Sequence, residues 1–122
     1  MVFKLAAGPK TVWWPVDIQI PLDGGGAEVQ KIDAQFEILE QDEHDDIILG
    51  KTDRTDLLER VIKGLRQRKR NPKDEDAPIQ NDDGSPLAFE EAKRLMLLTP
   101  YIRVALYAGY GKAANGQGRI KN

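Results

Sequence analysis

The sequence has no cysteine and a single histidine, His44. The missing thiol excludes disulfides, thiolate catalysis and cysteine-ligated metal sites. His44 lies in the run DEHDD, which has neither the spacing of a metal-ligand set nor a second anchor elsewhere, so an exposed acidic segment that begins a helix is the preferred interpretation. No nucleophile motif accompanies this histidine, and the many carboxylates lie in segments expected to be solvated. We therefore expect a protein that is not an enzyme and that uses no metal or cofactor.

Long hydrophobic runs are also missing from the sequence. No stretch approaches the roughly 18 apolar residues of a membrane-spanning helix, and the first apolar run, MVFKLAAG, is too short for the core of a signal peptide. A chain of 122 residues is long enough to bury a core of its own and is expected to form one domain. We expect a soluble cytoplasmic protein with no contact to membranes.

Acidic side chains are absent after Glu91, where only basic residues carry charge. Between Asp23 and Glu59, by contrast, acidic residues outnumber basic ones, so the net charge of −2 hides a separation of charge along the chain. An acidic front and a basic end favour attraction within one molecule or head-to-tail association between copies. Two solvated faces are the alternative interpretation.

Residues 1–40 predict an antiparallel β-hairpin. Two segments, TVWWPVDIQIPL and VQKIDAQFEIL, alternate apolar and polar side chains with the period of a strand, and the DGGG run between them is typical of a turn. Pro15 and Pro21 lack backbone donors, so the first strand is expected either to lie at an edge of the sheet or to end at these residues. Trp14 is predicted on the apolar face and Trp13 on the opposite face.

Residues 41–70 predict a helical region. A short apolar piece is expected to end at Gly50, and Thr55 or Asp53 is placed to cap the following helix. Its apolar stripe has helical spacing and comprises Leu57, Leu58, Val61, Ile62 and Leu65.

Residues 71–86 carry three prolines and many turn formers and predict a mobile loop. Two helices are expected over 87–114, the first capped by Ser85 with Pro86 at its first position, and the second begun by Thr99 and Pro100. The glycine-rich end is expected to fray beyond Gly109, and 115–122 to form a flexible basic tail. The predicted fold is α+β, with an N-terminal antiparallel hairpin followed by three to four helices.

Two runs, one glycine-rich and one basic, are considered as a phosphate-binding loop and as a nucleic-acid contact. GYGKAANGQG lacks the spacing of a phosphate-binding loop and follows a helix rather than a strand. The run RQRKRNPK, with its cations at 66–73, is the candidate for a nucleic-acid contact, although DEDAP follows at once and no aromatic side chain interleaves the cluster. A small phage-encoded nucleic-acid-binding or regulatory protein therefore stays open as an alternative.

The order of these segments resembles the tail assembly chaperones of long-tailed bacteriophages and prophages. In that family a hairpin with a VxIPxP-like strand precedes a helix that ends near VxGW, and a Pro-Tyr-hydrophobic-Arg-Ala-Leu helix and a basic KN end follow. The pieces nearest to that pattern here are VIKGLR and TPYIRVAL, and the likeness covers nearly the full chain. Two departures are Leu65, where the family has an aromatic residue, and the unusually basic 66–70.

The resemblance implies a non-enzymatic factor of the host cytoplasm that binds the tape measure protein, keeps it soluble and recruits tail tube subunits. It also implies that the factor is absent from the mature virion; a minor virion structural or connector protein is the further alternative. The apolar arc predicted for the last helix is too wide for one buried side, which indicates burial on more than one side, by the domain itself or by a partner. The candidate partner-binding residues, drawn from the core or its association surface and from an exposed Trp13 patch, are Trp13, Tyr101, Ile102, Leu106 and Tyr110.

Overall fold

A computed structural model describes residues 2–5, 10–51 and 54–116. Three strands and four helices follow one another in the described part of the chain, and the predicted α+β fold with its N-terminal hairpin is confirmed. In chain order the elements are β1 (Lys10–Pro21), β2 (Ala27–Ile38), α1 (Gln41–Ile48), α2 (Thr55–Val61), β3 (Ile62–Gln67), α3 (Phe89–Leu98) and α4 (Pro100–Ala114).

The hairpin of β1 and β2 forms as the alternation predicts. Val16 pairs with Ile32, and at the turn the Leu22 N–H donates to the Gly26 carbonyl at 2.9 Å. That bond continues the register and places the ladder hydrogen bonds on the even-numbered residues of β1. Pro15 and Pro21 occupy odd positions, so their ring nitrogens point to the open edge, where no ladder bond is lost.

A third strand replaces the end of the predicted helical region 41–70. The helix that begins at Thr55 stops at Val61, and β3 pairs antiparallel with β2, with Ala34 opposite Leu65. The predicted helix was therefore wrong beyond Val61, because Ile62 and Leu65 of the apolar stripe lie in β3. Pairing satisfies the backbone of β2 on its second side, and this gain exceeds the helix propensity of a segment that contains Gly64.

The sheet order is β1-β2-β3, and the helices pack on one of its faces. This inner face carries the even-numbered side chains of the hairpin, including Val16 and Phe36, as the strand period requires. Below we call the opposite side, which carries Trp13 and Asp33, the outer face. The core is continuous through the sheet, α2, α3 and α4, and its large fully buried side chains are Val16, Phe36, Leu57, Leu58, Val61, Ile62 and Leu106.

Helix α4 lies across β1 at close range because Gly109 lacks a side chain. A Cβ built on Gly109 would approach Val16 Cγ2 to 2.9 Å. The sequence predicted that the helix frays beyond Gly109, but it continues to Ala114. Burial of Tyr110 in the next position supplies the packing that holds its last turns.

The helix starts differ from the predicted caps at two of three places. Arg54 rather than Thr55 occupies the N-cap of α2, while Asp53 lies outside the described residues. Helix α3 begins at Phe89 and not after Ser85, whose hydroxyl instead donates to Asp83 within a turn. Thr99 and Pro100 do begin α4, although the Thr99 hydroxyl donates back to the Leu95 carbonyl at 3.1 Å.

Part of the loop predicted over 71–86 is ordered by backbone hydrogen bonds. The Leu87 N–H donates to the Ile79 carbonyl at 2.8 Å, and the Asn81 N–H to the Ser85 carbonyl at the same distance. These bonds close a small hairpin-like arm over 79–87. The Gln67 N–H donates to the Ala77 carbonyl at 2.9 Å, so the chain before the arm lies along the edge of β3.

Candidate interaction surfaces

Helix α4 leaves an apolar face uncovered once the domain has folded. Val104 is 67% exposed, and Leu98, in the last turn of the preceding helix α3, is 66% exposed. Tyr101 and Tyr107 each expose more than a third of their surface. Tyr101, Val104, Tyr107 and the exposed Ala108 have helical spacing along α4. Together with Leu98 at the end of α3, they are called the α4 face below. The buried residues Leu106, Gly109 and Tyr110 occupy the other side of the same helix.

The charged residues of α4 itself are cations. No acidic residue occurs from Ala92 onward, and α4 itself carries only Arg103 and Lys112. Arg103 donates to the Leu97 carbonyl at 3.2 Å, which satisfies the last turn of α3 and anchors the guanidinium at the base of α4. From α2, the Arg54 guanidinium lies over the Tyr107 ring, 5.7 Å from its centroid. Cations therefore lie along α4, while Asp56 follows Arg54 in α2 and the acidic helix α1 packs beside Tyr110.

A cleft of about 550 Å³ opens between the inner face, the 79–87 arm and the start of α4. Its apolar lining is contributed by Ile18, Ile32, Ile79, Leu87, Met96 and Ile102. Gln30, Lys31 and Asp82 stand among its polar lining residues. The cleft gives the half-buried Ile102, one of the predicted partner-binding residues, a place next to open space.

Leu106 and Tyr110 belong to the core, which is one of the two places predicted for them, and they offer almost no surface to a partner. Leu106 has no exposed surface, and Tyr110 exposes 2%. The Tyr110 ring meets Phe36 edge-on at 5.6 Å between centroids, and its hydroxyl accepts a hydrogen bond from the Leu39 N–H at 3.3 Å. Burial raises the pKa of the Tyr110 hydroxyl, because the phenolate would lose its hydration.

Trp13 lies on the outer face, as the alternation predicts, but it is half-buried and does not form an exposed apolar patch. The Arg66 guanidinium covers the indole, 3.8 Å from the ring centroid. Gly64 leaves room for the ring beside β3, since an added Cβ would lie 2.8 Å from Trp13 Cη2. The expected sticky patch is therefore filled by groups of the domain itself.

Much of the basic run 66–73 is engaged within the domain. Asp33, which is 8% exposed, lies 3.2 Å from both the Arg66 and the Arg68 guanidinium. Arg68 also donates to Asp17 at 2.8 Å and to the Val16 and Ile32 carbonyls.

The next cation of the run, Lys69, pairs with Asp76 at 2.5 Å, and this contact lowers the pKa of the Asp76 carboxyl. The cations that could neutralise phosphates are thus largely committed to carboxylates, which weakens the case for nucleic acid. Arg70 and Lys73 remain exposed beyond the paired cations.

The acidic segment around His44 packs as the first helix. The His44 ring stacks parallel to Tyr110 at 6.4 Å, and Asp45 accepts hydrogen bonds from His44 and Gln41, which lower the pKa of its carboxyl. Within the described ranges, no group of three or more His, Cys, Asp or Glu side chains could hold a metal ion. None of the described helices has the length and apolar character to cross a bilayer.

Comparison of the chain with protein-family models, with curated proteins and with solved structures finds no match. We therefore infer the function from the sequence pattern and the interaction surfaces. Of the predicted partner-binding residues, Tyr101 is exposed on the α4 face and Ile102 lines the cleft, whereas the exposed Leu98, Val104 and Tyr107 were not among the predicted residues. The sequence signal for an exposed apolar surface was the wide apolar arc of α4, which includes Val104. The sequence alone could not show which side of this arc is buried, because that depends on where the sheet lies.

Proposed function

We propose that this protein is a phage tail assembly chaperone, a non-enzymatic factor that binds the tape measure protein in the host cytoplasm and recruits tail tube subunits. The observation that carries the proposal is the α4 face, on which Leu98 and Val104 are each about two-thirds exposed. Contiguous exposed apolar side chains mark interaction sites in proteins of this size. The order of the sequence segments supports the assignment to this family, and the α4 face offers a surface that could bind the tape measure protein.

A tape measure protein presents long amphipathic helices, whose apolar stripes aggregate unless they are covered. The α4 face is suited to such a stripe, because its anchors Tyr101, Val104 and Ala108 recur at helical spacing. Tyrosine is common among residues that dominate binding energy, since it combines apolar area with a hydroxyl that stays hydrated. Ile102 extends the apolar surface into the cleft under the 79–87 arm.

The proposal is tested by co-expressing the chain with a tape measure protein from the same genome. Val104→Asp places a charge in the middle of the α4 face and is expected to reduce the amount of soluble, co-purified tape measure protein severalfold. Val29→Asp is the matched control, because Val29 is 50% exposed and the alternation along β2 places it on the outer face. Circular dichroism establishes that both variants are folded.

Unchanged co-purification by a folded Val104→Asp variant would refute this use of the α4 face. Capture of the tail tube protein by the complex tests the recruiting role separately. The chain is expected to be missing from purified virions by mass spectrometry; its recovery from them would favour a connector protein instead. Head-to-tail association between copies, which the charge separation favours, is read from the mass of the purified protein in solution.

A further inference from the structure

We infer that the segment formed by residues 2–5 of one copy docks, in extended form, into the cleft under the 79–87 arm of a second copy. The inference does not rest on the proposed function, because it concerns only the association of the chain with itself. It follows from an exposed apolar segment, a cleft suited to an extended peptide, and the distance between the two.

Residues 2–5 precede the first strand and present three apolar side chains to solvent. Val2 is 79% exposed, Phe3 85% and Leu5 87%. This segment belongs to neither a helix nor a strand. Phe3 and Leu5 are two positions apart, so an extended backbone points both side chains to one side and Lys4 to the other. The segment therefore offers a pair of apolar anchors to a groove.

The cleft combines its apolar lining with polar groups that suit a peptide backbone. Four amide side chains line it, those of Gln30, Gln67, Gln80 and Asn81. An extended peptide needs such groups, because its N–H and C=O groups lack the internal partners that a helix supplies. The two charged residues of the lining, Lys31 and Asp82, are opposite in sign, so the cleft does not call for a charged occupant.

The backbone of Gln80 provides a further pairing point. The hydrogen bonds that close the arm lie on either side of the Gln80–Pro86 pair, so the N–H and C=O of Gln80 point away from the facing strand. Among the described residues, no backbone hydrogen bond involves Gln80. An extended segment beside Gln80 pairs with these groups while its apolar side chains enter the cleft.

The segment cannot place both anchors in the cleft of its own molecule. Lys10, where β1 begins, pairs with Ile38 at the end of the sheet opposite the hairpin turn. The cleft residues Ile32 and Ile18 lie about 20 and 26 Å farther along their strands. A fully extended chain carries Leu5 no farther than about 18 Å from Lys10, and the reversal of direction before β1 shortens this reach. A second copy must therefore supply the cleft.

The contact is head-to-tail. The segment departs from one end of the sheet and the cleft lies towards the other, so each copy offers a segment to one neighbour and a cleft to another. A segment of four residues buries less surface than a standard interface, which places this contact in the weak, transient class. We expect an affinity between about 1 µM and 1 mM.

Sedimentation velocity of the full chain over that concentration range is expected to show a mass that rises with concentration. Replacing both anchors, with Phe3→Ser and Leu5→Ser in one chain, is expected to weaken the association at least about tenfold, because two apolar side chains no longer leave water. Leu49→Ser is the control and is expected to leave the association unchanged. Leu49 is 79% exposed and lies at the end of α1.

Leu95→Glu and Leu98→Glu separate the cleft from the α4 face. Both leucines belong to α3, but Leu95, which is 37% exposed, lines the cleft, whereas Leu98 is part of the α4 face. Leu95→Glu is expected to weaken self-association at least about tenfold, because it places a charge in the apolar lining, and Leu98→Glu to leave it unchanged. Circular dichroism establishes that both variants are folded.

Mixing two defective chains tests the head-to-tail geometry directly. The Leu95→Glu chain keeps an intact segment, and the chain without Phe3 and Leu5 keeps an intact cleft. An equimolar mixture is expected to form a dimer that grows no further, although neither chain associates alone.

A chain that stays monomeric over the whole range overturns the inference, as does association that survives the loss of Phe3 and Leu5. Association lost in Leu98→Glu but kept in Leu95→Glu also overturns it, because the α4 face is then the docking site. Failure of the mixture to form a dimer overturns the pairing of this segment with this cleft. The chaperone proposal is unaffected by these outcomes, since it is tested by retention of the tape measure protein.

Discussion

The Arg66 guanidinium lies 3.8 Å from the centroid of the Trp13 ring, and the far end of the same indole occupies the space that a side chain on Gly64 would need. Arg66 is in turn fixed by Asp33 at 3.2 Å. The outer face of the sheet, which none of the described helices covers, is thus closed by an indole and a cation that hold each other in place.

Gly64→Ala is expected to lower the free energy of unfolding by about 1–3 kcal/mol, because the new Cβ would lie 2.8 Å from Trp13 Cη2 and force the ring to move. Urea unfolding followed by tryptophan fluorescence measures the change. Gly26→Ala, with no atom within 4 Å of its added Cβ, is the control. Equal effects of the two substitutions would show that the indole has room to shift.

Two glycines of α4 are expected to respond to alanine in opposite directions. At Gly111 an added Cβ meets nothing within 4 Å, so Gly111→Ala is expected to stabilise the protein by about 0.5–1 kcal/mol through helix propensity. At Gly109 the Cβ would lie 2.9 Å from the buried Val16, and overpacking of about 1–3 kcal/mol exceeds that gain. Thermal unfolding of both variants provides the measurement. Stabilisation by Gly109→Ala would mean that α4 can move away from β1 without loss.

Leu106→Ser and Leu98→Ser make the same chemical change at a buried and an exposed site. Leu106 has no exposed surface, so its loss is expected to destabilise the fold by about 3–5 kcal/mol and leave little folded protein. Leu98, at 66% exposure, is expected to change stability by less than about 0.5 kcal/mol. Urea titration measures both, and a stable Leu106→Ser variant would contradict the core described above.

Tyr110 is expected to make the fold sensitive to alkaline pH. Its pKa is raised in the folded state by burial, so the neutral phenol is favoured by folding. This contribution is fully present below the unfolded value of about 10 and is lost as pH rises through the higher folded pKa. The difference between the tyrosinate absorbance titrations of the wild type and Tyr110→Phe isolates this group. A midpoint at or below about 10 would contradict the burial of the hydroxyl.

The hairpin could be predicted because local alternation and tertiary burial agree along it. Trp14, Val16 and Ile18 alternate with polar residues, and the same alternation places them on the inner face. The Thr99-Pro100 start of α4 was equally readable, since a proline fixes the backbone in the first turn of a helix.

The third strand could not be predicted with the same reasoning. Val61, Ile62 and Leu65 fit a helical stripe, and only the free side of β2 makes the strand preferable. Gly64 in a supposed helix interior was the available warning, at a cost of about 1 kcal/mol relative to alanine. The exposed surface of α4 could not be predicted for a similar reason, because the helix is apolar on nearly all sides. Only the position of β1 decides that Leu106 is buried and Val104 is not.

The prolines of β1 have a consequence for how separate molecules meet. Pro15 and Pro21 interrupt the row of N–H donors along the open margin of the sheet, so a strand from a neighbouring copy finds gaps where it would pair. We expect these gaps to disfavour pairing between the sheets of different molecules along β1, which has no paired strand on that side among the described residues.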